Sequence, residues 1–260
     1  MKICCYGICK NEIKFIDRML DSIKDADYFA FLDTGSTDGT YEKLLELQKD
    51  NPEKYFIAQR EIKPWRFDTA RNASMELVPE DADVCVSVDF DDVFPANWRK
   101  IVEEKIEAGY NKIIARYCYY ENDTPVSTIF LDRVSINKKA HWENGIHERL
   151  VADDENSVDA PEFIVEHRQD CSKDRRDIYL EAAIESAKDS DYGKLCLGYE
   201  YFNSGKFALS ASTFENLYET LKDTDSSLIT RKMLLVLATA YGELGLIDEE
   251  ISAYKRILEI

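Results

Sequence analysis

Short apolar runs alternate with helical periodicity along the first third of the chain. Lys2 to Cys9, Tyr28 to Leu32, Tyr55 to Ala58 and Val84 to Val88 have the length and composition of buried strands. Between them Ile13, Ile16, Leu20 and Ile23 recur at helical spacing, Leu44, Leu45 and Leu47 mark a second helix, and Ala70 to Leu77 a third. Strands that apolar need cover on both faces. The alternation therefore predicts an α/β domain with a mixed, mainly parallel central sheet and helices on both sides. In such a sheet ligands collect in the loops at the carboxyl ends of the strands.

Beyond Pro95 the pattern changes to a helix, a β-rich stretch from Lys112 to Arg133, and a loop-rich segment from Asn137 to Glu148 that holds His141 and His147. From about Asp174 the chain has no proline and reads as helices only, so a boundary is expected near Cys171: one domain over 1–171 and an all-α segment over 172–260. Within the second, Leu197, Tyr201, Gly205, Phe214 and Leu217 match Leu237, Tyr241, Gly245, Tyr254 and Ile257 at a constant offset of 40, the distance from Leu197 to Leu237. This internal repeat resembles a tetratricopeptide pair, whose period is about 34 residues, with the linker Lys222 to Thr230 expected to absorb the excess. The last helix lacks the polar cap that closes such arrays. A dimer contact or a further stretch of chain is expected to cover that face.

At 260 residues, 45% of them apolar, the chain can build a sizeable core without staples. A formal charge of -18 argues against nucleic acid and anionic lipid as partners, and any phosphate-bearing ligand needs a local cation. Seven cysteines, several of them in strand-like runs, point to free thiols in a reducing, cytoplasmic compartment. Adjacent Cys4 and Cys5 would face opposite sides of a strand, so zinc is not expected there. Neither a signal peptide nor an apolar run of roughly 20 residues is legible, and a chain that does not span a membrane is expected.

Two acidic turns follow strand-like runs. In Leu32-Asp33-Thr34-Gly35-Ser36-Thr37-Asp38-Gly39-Thr40, a tight turn with a helix cap accounts for Ser36, Asp38 and Gly39. Asp33 also suits a ribose hydroxyl or a base imide, and the segment alone does not decide between turn and ligand. The second turn is Asp89-Phe90-Asp91-Asp92. Three carboxylates after so apolar a strand repel one another unless a divalent cation sits among them, and oxygen ligands suit Mn2+ or Mg2+. Arg66 and Ala70-Arg71-Asn72 should lie beside that turn, where a guanidinium can either clamp a diphosphate or pair with a nearby aspartate. His147, after Gly145 and before Glu148, is a candidate third metal ligand. His141 and His167 have weaker claims.

At these residues the sequence resembles the family 2 glycosyltransferases of the type A fold, in particular bacterial members with tetratricopeptide repeats after the catalytic domain. Cys9-Lys10-Asn11-Glu12, Asp33 to Thr40, Ala70-Arg71-Asn72 and Asp89-Phe90-Asp91-Asp92 follow the family's order and separations, and His147-Glu148 extends the match over roughly residues 1–170. The resemblance implies a nucleoside diphosphate sugar donor, with Cys9, Asn11, Glu12 and Asp33 near the nucleoside and Arg71 and Asp89 also on the donor. It makes Asp89-Phe90-Asp91 the metal motif, with Asp91 the most direct ligand. Thr34 departs from the family, many of whose members have a second aspartate there that contacts the base. An inverting displacement is implied, needing a general base, with Glu148 the first choice and Asp92 the second. The acceptor is open, with a peptide or protein suggested by the repeats. Two other readings compete: a nucleotidyltransferase, which would want a glycine-rich basic loop where Lys10-Asn11-Glu12-Ile13-Lys14 stands, and a non-enzymatic scaffold binding a peptide through the helices.

Overall fold

The computed structural model describes residues 1–121, 123–170, 175–222 and 227–260. The expected boundary at Cys171 and Ser172 and the middle of the linker Lys222 to Thr230 lie outside the described residues. The chain forms two compact units: Met1–Ile62, Asp68–Glu143 and Glu148–Lys173 make the first, while Lys63–Phe67, Asn144–His147 and Asp174–Ile260 make the second.

In the first unit the apolar runs become strands and the periodic stretches helices: β1 (Ile3–Cys9), α1 (Ile16–Ser22), β2 (Tyr28–Asp33), α2 (Thr40–Asp50), β3 (Tyr55–Gln59), α3 (Phe67–Met75), β4 (Val84–Ser87), β5 (Asp92–Val93) and α4 (Trp98–Glu107). Then come β6 (Lys112–Glu121), β7 (Thr124–Ile136), β8 (Ala140–Glu143), β9 (Arg149–Ala152) and β10 (Ser157–His167). Eight strands form one sheet in the order β3-β2-β1-β4-β7-β6-β10-β5, while β8 and β9 pair separately. β1 runs parallel to β2 and β4, β3 parallel to β2, and β10 parallel to β6. β7 is antiparallel to both β4 and β6, and β5 to β10. The mixed, mainly parallel α/β sheet expected from the sequence is present.

Alternation along β1 sends Ile3 and Cys5 into one buried layer with Met19, Leu44 and Trp98 from α1, α2 and α4. Cys4 and Tyr6 enter the opposite layer with Val78, Trp142 and Leu150. Burying a large apolar side chain such as Phe31 or Met19, each 0% exposed, stabilises by about 1.5–3 kcal/mol. The six described cysteines are free and buried. Burial pushes the Cys85 thiol up to about 12 and those of Cys4, Cys5 and Cys9 higher than ordinary. Gly7 has a steric reason: a Cβ there would lie 2.2 Å from the Val88 carbonyl oxygen, so only glycine lets the chain leaving β4 cross β1 this closely.

The second unit contains α5 (Arg176–Ser186) and two helical hairpins, α6 (Asp191–Asn203) with α7 (Phe207–Leu221) and α8 (Ser227–Glu243) with α9 (Ile247–Glu259). The hairpin corners turn at Gly205 (φ 70°) and Gly245 (φ 71°). The following amides, of Lys206 and Leu246, donate back to the Tyr201 and Tyr241 carbonyls at 2.8 and 3.0 Å, the bond that closes a helix on a left-handed residue. Phe214, Leu217, Met233, Leu234 and Leu237 form the hairpins' shared core. Ile146, from the loop Asn144–His147, is buried against Ala182, Ala183 and Cys196. No helix among the described residues is long and apolar enough to cross a membrane.

Candidate active site

Because β2 and β4 flank β1, the chain departs from β1 in opposite directions, and the crevice at such a switch point opens at the carboxyl ends of the strands. Cys9 ends β1, paired with Asp33 at the end of β2, and Ser87 ends β4. Both acidic turns therefore emerge on this edge.

The Asp33 turn is held mainly by its own neighbourhood. Asp33 Oδ1 accepts from the amides of Gly35 and Ser36 and from Gln59 Nε2, each at 2.9 Å, and Oδ2 receives the Cys9 thiol at 3.6 Å. Burial opposes the charge, but the hydrogen bonds from Ser36, Gln59 and Gly35 outweigh it and keep the carboxyl below its ordinary range. The loop after β1 is tied to this turn: the Asn11 amide donates to Ser36 Oγ at 2.8 Å, Asn11 Oδ1 accepts from the Thr37 amide at 2.7 Å, and the Glu12 amide donates to Thr40 Oγ1 at 2.8 Å. Asn11 takes a left-handed conformation (φ 59°), which asparagine tolerates better than most residues. Cys9, Asn11, Glu12 and Asp33 thus form one connected wall.

The Asp89 turn is held from afar. Arg71, on α3 and 7% exposed, donates through Nη2 to Asp89 Oδ1 at 2.9 Å, through Nε to Glu148 Oε1 at 2.5 Å and through Nη1 to Ser87 Oγ at 3.3 Å, while its guanidinium lies 5.0 Å from the centre of the Trp142 ring. Arg133, 3% exposed, donates to Asp89 Oδ2 at 3.1 Å and packs 4.4 Å from the Tyr117 ring centre. Burial opposes the Asp89 charge, yet the two guanidiniums outweigh it and hold its carboxyl far below the usual range. Asp92 is fully buried: Oδ2 accepts the Asp89 amide at 3.0 Å, and Oδ1 receives Tyr117 OH at 2.5 Å and lies 2.9 Å from His167 Nδ1. Burial, reinforced by the Asp89 charge, pushes the Asp92 carboxyl up. At His167 burial opposes protonation, but the Asp92 hydrogen bond and the charges of Asp91, Asp92 and Asp89 prevail and raise its pKa. Asp91 is buried with Oδ1 3.4 Å from His167 Nδ1, and its backbone oxygen accepts from the Arg168 amide at 2.9 Å.

Among the described residues, one group has the geometry to hold a metal ion: an oxygen from each of Asp89 and Asp92 and a ring nitrogen of His167, all within 4.8 Å of one another. The donor chemistry fits a divalent cation. The guanidiniums of Arg71 and Arg133 pair with Asp89 and Glu148, and the His167 ring lies beside Asp91 and Asp92. His147 belongs to the second unit, with Nε2 3.8 Å from Glu200 Oε1 and its ring beside Tyr179. Arg66 also belongs to that unit and is paired with Asp189.

Tyr117 and Arg133 do not stand out in the sequence, and His167 does so only weakly. Strand register brings them in. His167 is the direct partner of Asp92 in the β10–β5 ladder and of Tyr119 in the β10–β6 ladder. Arg133 is the residue skipped where the β6–β7 pairing shifts from Ile113↔Val134 to Ile114↔Asp132, a bulge of the kind that re-aims a side chain. The available signal is modest: an arginine closing the β-rich stretch Lys112 to Arg133, and a histidine following the apolar triplet Phe163 to Val165 by two residues.

Comparison with known proteins places this geometry. The chain is similar in fold to Staphylococcus aureus TarS (residues 1–349) solved with UDP-GlcNAc, with a TM-score of 0.55 and 13% identity over 100% of this chain and 92% of that one. It spans 54% of the chain in a second S. aureus TarS structure. It is also similar to the mannosyltransferase PcManGT of Pyrobaculum calidifontis solved with GDP-Man and Mn2+, with a TM-score of 0.50 and 11% identity over 99% of this chain and 87% of that one. No curated protein sequence matches. The model of glycosyl transferase family 2 matches residues 8–157, which run from the end of β1 through both acidic turns and Glu148 to the start of β10, and the chain accordingly belongs to that family of glycosyltransferases.

Proposed function

We propose that the chain transfers a sugar from a nucleoside diphosphate donor to an acceptor hydroxyl with inversion, aided by Mn2+ or Mg2+ at the Asp89 turn. The observation that carries this reading is the grouping of Asp89, Asp92 and His167 at the carboxyl edge of β4, with donor atoms within 4.8 Å of one another. Desolvated acids are retained at such a position where a cationic ligand compensates them. A divalent ion bound there would offset the charge developing on the leaving diphosphate. Asp89, Asp92 and His167 are the residues grouped to hold it, with Asp91 beside them. Asp33, Asn11, Glu12 and Cys9 would face the nucleoside. Arg71 and Arg133 keep the Asp89 carboxylate oriented, and the buried Arg133 Nε is a donor with no hydrogen-bond partner among the described residues.

In the displacement, the acceptor oxygen bonds to the anomeric carbon, the bond from that carbon to the diphosphate oxygen breaks, and the acceptor proton passes to a carboxylate. Glu148 suits that role better than Asp92, because its side chain is 13% exposed while that of Asp92 is 0% exposed and already accepts three hydrogen bonds. The helical segment from 172 onward is proposed as a tetratricopeptide-like surface for a peptide or protein acceptor, and the free thiols suit a reducing cytoplasm. A purely scaffolding role fits less well, since a buried ionic network of this kind carries a desolvation penalty that apolar packing would avoid.

Calorimetric titration with a donor panel led by UDP-GlcNAc and GDP-Man, in Mn2+ and in chelator, tests the reading. Metal-dependent binding lost in Asp91→Ala is expected. Loss in His167→Ala with retention in His147→Ala would assign the metal to the Asp89, Asp92 and His167 group, and the reverse pattern to His147. If no donor binds in Mn2+, the proposal fails.

A further inference from the structure

Along α9, Ile247, Ile251, Tyr254 and Leu258 are 65%, 46%, 43% and 87% exposed. Their 4-3-4 spacing draws an apolar stripe along one side of the helix, while Ala253 and Ile257 on the other side pack into the hairpin core. Forty positions earlier the same sites on α7 are Phe207, Ala211, Phe214 and Tyr218, where Ala211 and Phe214 are buried in the hairpin core and Phe207 and Phe214 pack edge-on against Phe202 and Tyr199 of α6. On α7, then, this stripe is a helix-docking surface. On α9 all four of its side chains stay exposed.

We propose that the α9 stripe binds a second copy of this chain, the two α9 helices packing antiparallel about a twofold axis between residues 251 and 254. The argument for a second copy is self-complementarity. In that register Ile247 meets Leu258 of the partner subunit and Ile251 meets Tyr254 of the partner subunit, so both apolar layers are filled. The flanking positions carry Asp248 in the first turn and Lys255 two turns later, both exposed and neither in an ion pair among the described residues. Antiparallel pairing sets Asp248 beside Lys255 of the partner subunit, and symmetry makes the contact twice. A 13-residue helix is about 20 Å long. The patch is smaller than the roughly 800 Å² per partner of a standard stable interface, so the dimer should be reversible in the micromolar range.

Sedimentation velocity of the full chain over a wide concentration range is the test. A concentration-dependent monomer to dimer shift is expected. Leu258→Glu should abolish it, Asp248→Lys or Lys255→Asp should weaken it about tenfold, and the double exchange Asp248→Lys with Lys255→Asp should restore it. All three substitutions are on exposed side chains, and unchanged circular dichroism and melting would confirm an intact fold. A chain that stays monomeric throughout, a dimer indifferent to Leu258→Glu, open-ended growth beyond two copies, or failure of the double exchange to rescue would each overturn the proposal. The last two would point to head-to-tail stacking or to a different helix as the occupant.

Discussion

Asp33 and Asp89 both follow a buried strand at the same edge of the sheet, yet they are held in opposite ways. Asp33 takes two of its three hydrogen bonds on Oδ1 from amides two and three residues on, so much of its setting is local turn chemistry. Asp89 takes its hydrogen bonds from guanidiniums 18 and 44 residues away on α3 and β7 and from the hydroxyl of Tyr117 on β6. A locally built acid tolerates change. A carboxylate suspended between buried arginines does not, because removing either partner strands a charge away from water.

Arg133→Ala should break the contrast most severely. It leaves Asp89 with Arg71 alone and is expected to destabilise the fold by about 3–5 kcal/mol, measurable by urea unfolding, together with loss of donor binding. A cost below about 1 kcal/mol would show that the Arg133 contact is dispensable. Asp33→Asn keeps an oxygen for the same donors and should lose only about 1–2 kcal/mol at neutral pH. Its pH dependence sharpens the comparison. The folded-state pKa of Asp33 is depressed, so its contribution is present above the unfolded value near ~3.9 and disappears as pH falls through the lower folded value. The wild-type and Asp33→Asn stabilities should therefore differ at pH 7 and converge in acid, whereas a gap persisting in acid would assign the effect to packing instead. The smallest change is expected for Ser36→Ala, which removes the acceptor of the Asn11 amide and should cost about 1 kcal/mol with little effect on metal-dependent binding.

The same contrast explains what could be read in advance. The alternation of strand and helix, the split of Cys4 and Cys5 to opposite layers and the corner glycines at 205 and 245 follow from periodicity and backbone preference, which act over a few residues. The two acidic turns were legible for that reason. The identity of the imidazole beside Asp92 was not: His147, flanked by Gly145 and Glu148, has the more suggestive sequence context, but burial of Ile146 draws its loop into the helical unit.

By itself, then, the sequence determined an α/β sheet with carboxylates at its carboxyl edge and a helical segment later in the chain, because hydrophobic period and turn chemistry are local properties. Only the tertiary structure decided which cations and which histidine surround those carboxylates. That choice rests on β7 entering antiparallel between β4 and β6, on the bulge that skips Arg133, and on the register that sets His167 opposite Asp92. Strand order and register are settled by packing over the whole sheet, and a shift of one residue would turn each of these side chains to the other face.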